Sequence, residues 1–430
     1  MKKKLWFSIG LLLIVLMMGT YQATPVPLAV QQVQAIELKA AATATTTPVA
    51  ETELEEITLG VVLPFTGSLG EFGVAFKEGI ELAVEQMNVQ LETAGSPIRF
   101  SIASADTKGT PDGAAKAIQT VVQTSGAQVV IGPLATSEVL GAKQFADENK
   151  ITIIAPASSG LAGAIPDDFI FRVMNPPDNF SAQAFEGVAI ARSYENIVIL
   201  HMDDPFGNGF AESFTERFQE AGGKEVSVVK YAPEPTDLSS EVTKISSEVA
   251  TLSSSGNTAF LCICFLGDAQ KVLQLALVDP ILGSVEWMGI ENLRSPELLT
   301  DPDQAALLGQ VKFTTISAAS IQNPNTQPFI DAYTEKYGQE PGPFTNYAFD
   351  AANLAMLSII FAGNDGAAVQ KVVPFIAAHY IGTQVQTYLD ENGDQAIAIL
   401  TVYQVAEDGS DFAEIGAYDG STGQTTLQEQ

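Results

Sequence analysis

Cysteine, histidine and positive charge are all scarce in this chain of 430 residues. Only two histidines occur, and neither His201 nor His379 has other ligand-type residues clustered beside it, so a metal centre is not expected. Lys and Arg number 21 against 51 Asp and Glu, which gives a formal net charge of −30. Because such a surface repels phosphate backbones and anionic headgroups, we expect no nucleic-acid partner.

The two cysteines stand two residues apart in the apolar segment 259–265, which is predicted to be a buried strand. Alternation along a strand would place the side chains of Cys262 and Cys264 on one face. A disulfide between them would require strained geometry. The interpretation favoured by the sequence is therefore two small buried apolar residues without a bridge.

Motifs of the common enzyme classes are missing. No G-x-S-x-G elbow, Walker loop or H-E-x-x-H helix occurs, and no nucleophile–base pair stands out. Gly67, Gly70 and Gly73 follow G-x-x-G-x-x-G spacing, which is not that of a dinucleotide site. Segment 390–394 is rich in acidic residues but lacks the glycine at the sixth position and the distal glutamate of a calcium loop, so it predicts a tight turn. We expect no enzymatic activity, cofactor or metal.

The first residues have the pattern of an export signal. Three lysines at positions 2–4 precede an apolar run over 5–18, and no acidic residue occurs before Glu37. We assign residues 1–35 to a signal peptide or membrane anchor, and residues 36–56, rich in Ala, Thr, Pro and Val, to a flexible linker. The predicted location is the periplasmic or extracellular face of a membrane, with tethering by an uncleaved anchor left open.

From Ile57 onward, strand-like and helix-like segments alternate, which predicts parallel sheets with helices on both faces. The alternation restarts after Pro177, so the chain contains two α/β units. The tail 421–430 is polar and predicted to be loose. The predicted strands are 57–65, 98–105, 128–131, 151–155, 169–173, 197–201, 226–231, 259–265, 285–290, 396–405 and 412–418; a crossing near 317–323 leads to helices at 327–337, 347–361 and 367–379.

The loops that follow the strands are the informative part of such a fold, because ligands bind beyond the carboxyl ends of the strands. Loops 66–73, 132–137 and 155–160 are rich in glycine and small hydroxylic residues. Hydroxyls and free N–H groups at helix starts would hold a carboxylate. The alternative is that Thr136, Ser137 and Ser159 only cap helices or turn loops.

Seven segments, in order between residues 57 and about 405, resemble the family of leucine/isoleucine/valine-binding proteins: 57–67, 131–133, 155–158, 171–173, 203–207, 347–351 and 390–394. The resemblance implies an α/β fold of two Rossmann-like, doubly wound lobes joined by a three-crossing hinge, the type 1 periplasmic-binding fold. The lobes would comprise residues 57–177 with 318–389, and 178–317 with 390–420.

The resemblance also implies positions for ligand-binding residues. Thr136, Ala157 and Ser159 would lie at the ligand's carboxylate, and Glu291 at its ammonium. The aromatic wall falls at Phe72 and Phe206, where relatives often carry tyrosine, and this departure indicates a ligand with an apolar end. A further aromatic position falls at Phe265 or Leu266.

The function implied is that of the solute-binding protein of an ABC importer. It would capture an amino acid, branched-chain or otherwise apolar, by lobe closure, and deliver it as a monomer to a membrane permease. One alternative is a sensory module, although the sequence shows no kinase, methyl-accepting or channel domain. Another is a binder of a small carboxylate or amide that is not an amino acid.

Overall fold

A computed structural model of the chain describes residues 53–174, 177–319, 323–383 and 387–428. The predicted signal peptide or anchor, residues 1–35, and most of the predicted linker 36–56 lie outside the described residues. Regular structure begins at Glu55, two residues before the predicted start, because the polar Glu55 and Glu56 already pair with the neighbouring strand.

The first sheet has five parallel strands. Its strands β1 to β3 are each followed by a helix, as right-handed parallel units require. Strand β1 is buried along most of its length, which is typical of a parallel sheet covered on both faces. In order β2-β1-β3-β4-β5, the strands are β1 (Glu55–Leu63), β2 (Ile98–Asp106), β3 (Val129–Ile131), β4 (Thr152–Ala155) and β5 (Ile170–Arg172), and the helices are α1 (Gly70–Thr93), α2 (Pro111–Ser125) and α3 (Thr136–Asn149).

The second sheet has eight strands among the described residues. Five strands are parallel, in the order β7-β6-β8-β9-β10. Three further strands, β11, β12 and β13, continue the sheet beyond β10 with antiparallel pairing. The strands are β6 (Asn196–Met202), β7 (Glu225–Tyr231), β8 (Thr258–Ile263), β9 (Glu286–Gly289), β10 (Thr314–Ala318), β11 (Ile399–Val405), β12 (Phe412–Asp419) and β13 (Gln424–Leu427); the helices are α4 (Asp178–Ala191), α5 (Pro205–Glu220), α6 (Ser239–Ser253), α7 (Leu266–Ala276) and α8 (Pro302–Gln310).

Three later helices return to the first sheet: α9 (Thr326–Tyr337), α10 (Thr345–Ala362) and α11 (Gly366–His379). The core on one face of that sheet joins Leu59 and Val61 of β1 to α1, α10 and α11. A second core, on the other face, joins Val62 to α2 and α3. The side chains of β1 thus alternate between two hydrophobic layers.

The chain passes between the sheets three times: after β5, after β10, and between α11 and β11. This arrangement confirms the predicted α/β fold with two doubly wound halves and three crossings. The residue boundaries predicted for the two lobes, 57–177 with 318–389 and 178–317 with 390–420, stay a prediction.

Two segments differ from the sequence-based expectation. Strand β10 lies at Thr314–Ala318, just before the crossing predicted at 317–323, and it pairs with both β9 and β11. The tail predicted to be loose contains β13, whose residues Gln424–Leu427 pair with β12. Thr425 also donates its hydroxyl to the Ala184 carbonyl of α4, so the pairing is supported by a helix below it.

Among the described helices, none is by itself long and apolar enough to cross a membrane. Helices α10 and α11 reach the length and apolar composition of a membrane-spanning helix only when taken together, and they are bent by 115° with respect to each other.

Candidate functional site

A cleft with an empty volume of about 660 Å³ lies where the carboxyl ends of strands from both sheets face each other. It is lined by Leu69, Phe72, Phe76, Leu134, Ala135, Thr136, Ala157, Ser159, Met174, Asp204, Phe206, Phe265, Ile290, Glu291, Asn292 and Phe344. All six residues singled out from the sequence, Phe72, Thr136, Ala157, Ser159, Phe206 and Glu291, are on this cleft. Their contact with a ligand stays a prediction.

The first-sheet side of the cleft is built by the loops after β3 and β4. Thr136 begins α3, and its hydroxyl oxygen accepts the Gly160 N–H at 3.0 Å and lies 3.1 Å from the Ser158 hydroxyl oxygen. A Cβ atom at position 160 would lie 2.7 Å from this oxygen, so the close approach requires glycine. Thr136 therefore fastens the two loops together, and the N–H groups of the first turn of α3 are the donors available to an anion.

The apolar walls are phenylalanine rings. Phe206 stacks on Phe265 with ring centroids 6.0 Å apart, while Phe72 meets Phe76 edge to face at 6.5 Å. Of the two candidates for the further aromatic position, Phe265 borders the cleft and Leu266 begins α7. Phe344 also borders it, with a left-handed backbone (φ +63°) that is unusual for an aromatic residue.

Carboxyl groups gather at one corner of the cleft. Glu291 follows β9 and borders the cleft, yet its Oε2 is shielded from solvent and has no hydrogen-bond partner. Burial raises the pKa of Glu291 to about 7. Asn292, the next residue, donates to the Cys264 carbonyl, and its Oδ1 is left without a partner.

Asp178, the first residue of α4, is completely buried behind this corner. Neither of its carboxylate oxygens meets hydrogen-bond geometry with a described residue, although the Ser159 side chain lies close enough to favour the charged form. Burial, and then the nearby Glu291 charge, raise the pKa of Asp178 well above its ordinary value.

Asp204 is the third acidic residue here. It borders the cleft and caps α5 by accepting the Gly207 N–H at 2.8 Å, and burial raises its pKa. No Lys, Arg or His is among the described residues that line the cleft.

Arg172, whose positive charge acts on Asp178, is already paired with another carboxylate. The Arg172 guanidinium donates to both carboxylate oxygens of Asp394, with Nε 2.6 Å from Oδ1, and to the Gly160 carbonyl. Arg172 and Asp394 are both buried, so this ion pair joins the end of β5 to the turn 390–394. Within that turn, Asp390 accepts the N–H groups of Asn392 and Asp394, which holds the tight turn expected from the sequence.

Comparison with known proteins identifies the family. The sequence profile described as periplasmic binding protein matches residues 56–409, most of the chain. This chain belongs to the periplasmic binding protein family.

An amino acid binding protein of Pseudomonas aeruginosa is 23% identical over 83% of this chain and 92% of its own. Among solved structures, a leucine binding protein, LivK, from Thermotoga maritima has a TM-score of 0.71 at 21% identity, covering 85% of this chain and 99% of its own. An ABC-transporter solute binding protein of R. palustris in complex with benzoate has a TM-score of 0.69 at 17% identity, covering 87% and 98%.

These findings confirm the resemblance to leucine/isoleucine/valine-binding proteins and the type 1 fold. The family is one of solute-binding proteins rather than enzymes, and its location is extracytoplasmic.

In this periplasmic binding protein the two cysteines differ from the prediction: Cys262 and Cys264 form a disulfide. Strand β8 ends at Ile263, so Cys264 no longer follows the path of the strand and its Cα lies 5.4 Å from that of Cys262. This separation is within the range that a disulfide spans. The bridge stands immediately before Phe265, in the wall of the cleft.

Sequence reasoning missed several residues at this site: Asp178, Met174, Asp204, Asn292 and Phe344. Only Asp204 and Asp178 gave a sequence signal, because each stands next to a proline at a helix start, where an acidic residue usually acts as a cap. That ordinary explanation concealed the position of Asp178 behind the cleft.

Proposed function

We propose that this protein captures an amino acid with a branched-chain or other apolar side chain, as the binding component of an ABC importer. The observation that carries the proposal is Glu291, whose shielded and unpartnered carboxylate oxygen borders a cleft with otherwise mainly apolar walls. A buried carboxylate without a partner is costly, and a ligand ammonium would satisfy it.

The remaining groups fit the other ends of such a ligand. Backbone N–H groups at the start of α3 and in loop 157–159 would hold its carboxylate. The rings of Phe72, Phe206 and Phe265 would pack against its side chain, and none of them offers a hydroxyl to a polar side chain. Closure of the two lobes around the ligand would then present it, from a monomer free or tethered at its N-terminus, to a membrane permease.

A small aromatic carboxylate is the second candidate, because five phenylalanine rings, Phe72, Phe76, Phe206, Phe265 and Phe344, border the cleft and a structural neighbour is in complex with benzoate. The three carboxyl groups of Glu291, Asp178 and Asp204, which form the acidic corner of the cleft, argue against an aromatic carboxylate. A carboxylate without an amine would leave Glu291 unpaired and would add a like charge near it.

Titration calorimetry with leucine, valine, phenylalanine, 4-methylpentanoate and benzoate tests the proposal. Glu291→Ala should weaken amino acids by on the order of 3 kcal/mol, about a hundredfold, because their ammonium loses a desolvated partner. Carboxylates without an amine should lose much less. Thr136→Ala should weaken all carboxylates by roughly 1 kcal/mol, since other donors remain.

Glu297→Ala, which removes an exposed carboxylate six residues away in the same loop region, is the matched control and should change nothing. Unchanged amino-acid affinity in Glu291→Ala would refute the ammonium role. Wild-type protein that binds benzoate but no amino acid would favour the second candidate.

A further inference from the structure

The acidic corner of the cleft contains several buried acceptor oxygens that accept no hydrogen bond from the described residues. Both oxygens of Asp178, Oε2 of Glu291 and Oδ1 of Asn292 are shielded from solvent, and no described residue, Ser159 included, donates a hydrogen bond of good geometry to them. Buried polar atoms nearly always find a partner, so this concentration of unpartnered oxygens beside a cleft points to something that completes it. All four are acceptors when the two acids are ionised, so the missing group must donate several hydrogen bonds.

Two ionised carboxylates cannot both remain here without a cation. Asp178 is completely buried, and the Glu291 charge acts on it directly, as burial and the raised pKa of each group indicate. The charged groups facing Asp178 are Glu291, Arg172 and Asp204. Arg172 is the only cation among them, and its charge is balanced by two hydrogen bonds to Asp394. Asp204 adds a further like charge.

We propose that the Asp178 and Glu291 carboxyl groups hold an exchangeable proton in the empty cleft, and that a ligand's primary ammonium displaces this proton into solvent when it binds. The proposal rests on the proposed function, because it requires an amine ligand. No covalent bond changes: the proton passes from a carboxyl group to the buffer, and the ammonium N–H groups donate to the oxygens that are left.

Affinity is then linked to pH. Below about pH 7, binding one ammonium requires the release of up to one proton, so the association constant should rise up to about tenfold per pH unit. Above pH 7 the Glu291 carboxyl, whose pKa is about 7, increasingly lacks a proton to release, so the association constant should rise less steeply with pH until the ligand amine itself titrates. A secondary or tertiary amine supplies fewer N–H donors and should bind more weakly than the primary amine.

Titration calorimetry of the full protein with L-leucine, and with L-phenylalanine as a second probe, measures this release directly. At each pH, titrations in two buffers that hold that pH but differ in their heats of protonation differ by this difference in heat multiplied by the number of protons released. We expect release of up to about one proton at pH 6 and a clearly smaller release at pH 8.5, where Glu291 is already ionised in the empty protein. N-methyl-leucine, tested at pH 6, should bind several-fold more weakly than leucine.

Matched variants show which carboxyl group holds the proton that is released. Glu291→Gln and Asp178→Asn keep the shape of each side chain and remove one titrating group, so each should reduce the release at pH 6, whereas Glu297→Gln should leave it unchanged. If Asp178→Asn does not fold, the wild-type pH series decides alone. Tight leucine binding with no proton release at pH 6 would overturn this inference and leave the proposed function intact. Failure of every amine to bind would overturn both.

Discussion

At the scale of single residues, Glu291 couples the stability of the empty protein to pH. Its folded-state pKa of about 7 is above the ordinary value of 4.5, because burial penalises the charged form. The folded protein therefore binds this proton more tightly than the unfolded chain does. The resulting stability is fully present below pH 4.5 and is lost as pH rises through 7.

We accordingly expect the ligand-free protein to lose on the order of 3 kcal/mol of unfolding free energy from this group between about pH 5 and pH 8. Asp178 acts in the same direction. Urea titrations across this range should show the loss in wild type and a much flatter profile in Glu291→Gln. The opposite trend, a stability that rises steadily to pH 8 in both proteins, would show that Glu291 is not desolvated in solution.

Residue by residue, the sequence predicted the surroundings of the cleft better than its acidic corner. The resemblance placed Thr136, Ala157, Ser159 and Glu291 after their strands, and strand ends meet at one edge of a parallel sheet. Asp178 could not be recognised in this way. Its neighbours in the fold are Ser159, whose carbonyl accepts the Asp178 N–H, and Glu291, whose charge acts on it from 113 residues later in the chain. No local sequence pattern reports contacts between residues that far apart.

Phe344 illustrates another limit. Its left-handed backbone stands at the N-cap of α10, where its ring packs against the core of the first sheet. Nothing in the sequence Pro343-Phe344-Thr345 requires an aromatic residue in that conformation.

At the scale of secondary-structure elements, most strands were predictable because continuous apolar runs identify them. Strand β10 has the sequence Thr-Thr-Ile-Ser-Ala and β13 has Gln-Thr-Thr-Leu, so neither forms such a run. Each is recruited by neighbours: β10 by β9 and β11, and β13 by β12 and the Ala184 carbonyl of α4. Tertiary pairing outweighed weak local preference in both.

The end of β8 carries a separate prediction, because the Cys262–Cys264 disulfide immediately precedes Phe265. Alkylation of the unfolded, unreduced protein should add no mass, and reduction beforehand should add two adducts. Because the bridge fixes the path of the chain into the cleft wall, reduction should weaken leucine binding several-fold. The double variant Cys262→Ala/Cys264→Ala should bind equally weakly and should not respond to reductant. Alkylation without reduction would show that the thiols are free.

At the scale of the whole molecule, acidic residues exceed basic ones by thirty. Many of the ion pairs within the described residues are exposed, and such pairs contribute little stability. The excess charge therefore acts mainly as self-repulsion across the surface, which added salt screens.

We expect the melting temperature to rise as sodium chloride is increased from low to physiological concentration and beyond. Sorbitol at matched osmolality is the control, because it does not screen charge. A melting temperature that responds equally to both solutes, or to neither, would mean that charge repulsion is not a significant term in stability.

The division of each half between distant parts of the chain has a consequence for synthesis. The first sheet is finished at β5, but its core lacks α10 until Ala362 has been made, and the core around the second sheet includes Tyr418 of β12. At about 5–20 residues per second, the ribosome takes on the order of ten seconds or more to pass from β5 to α10. Throughout that interval the nascent chain cannot complete either core. The export signal predicted at the N-terminus would be translated long before either of these cores can form.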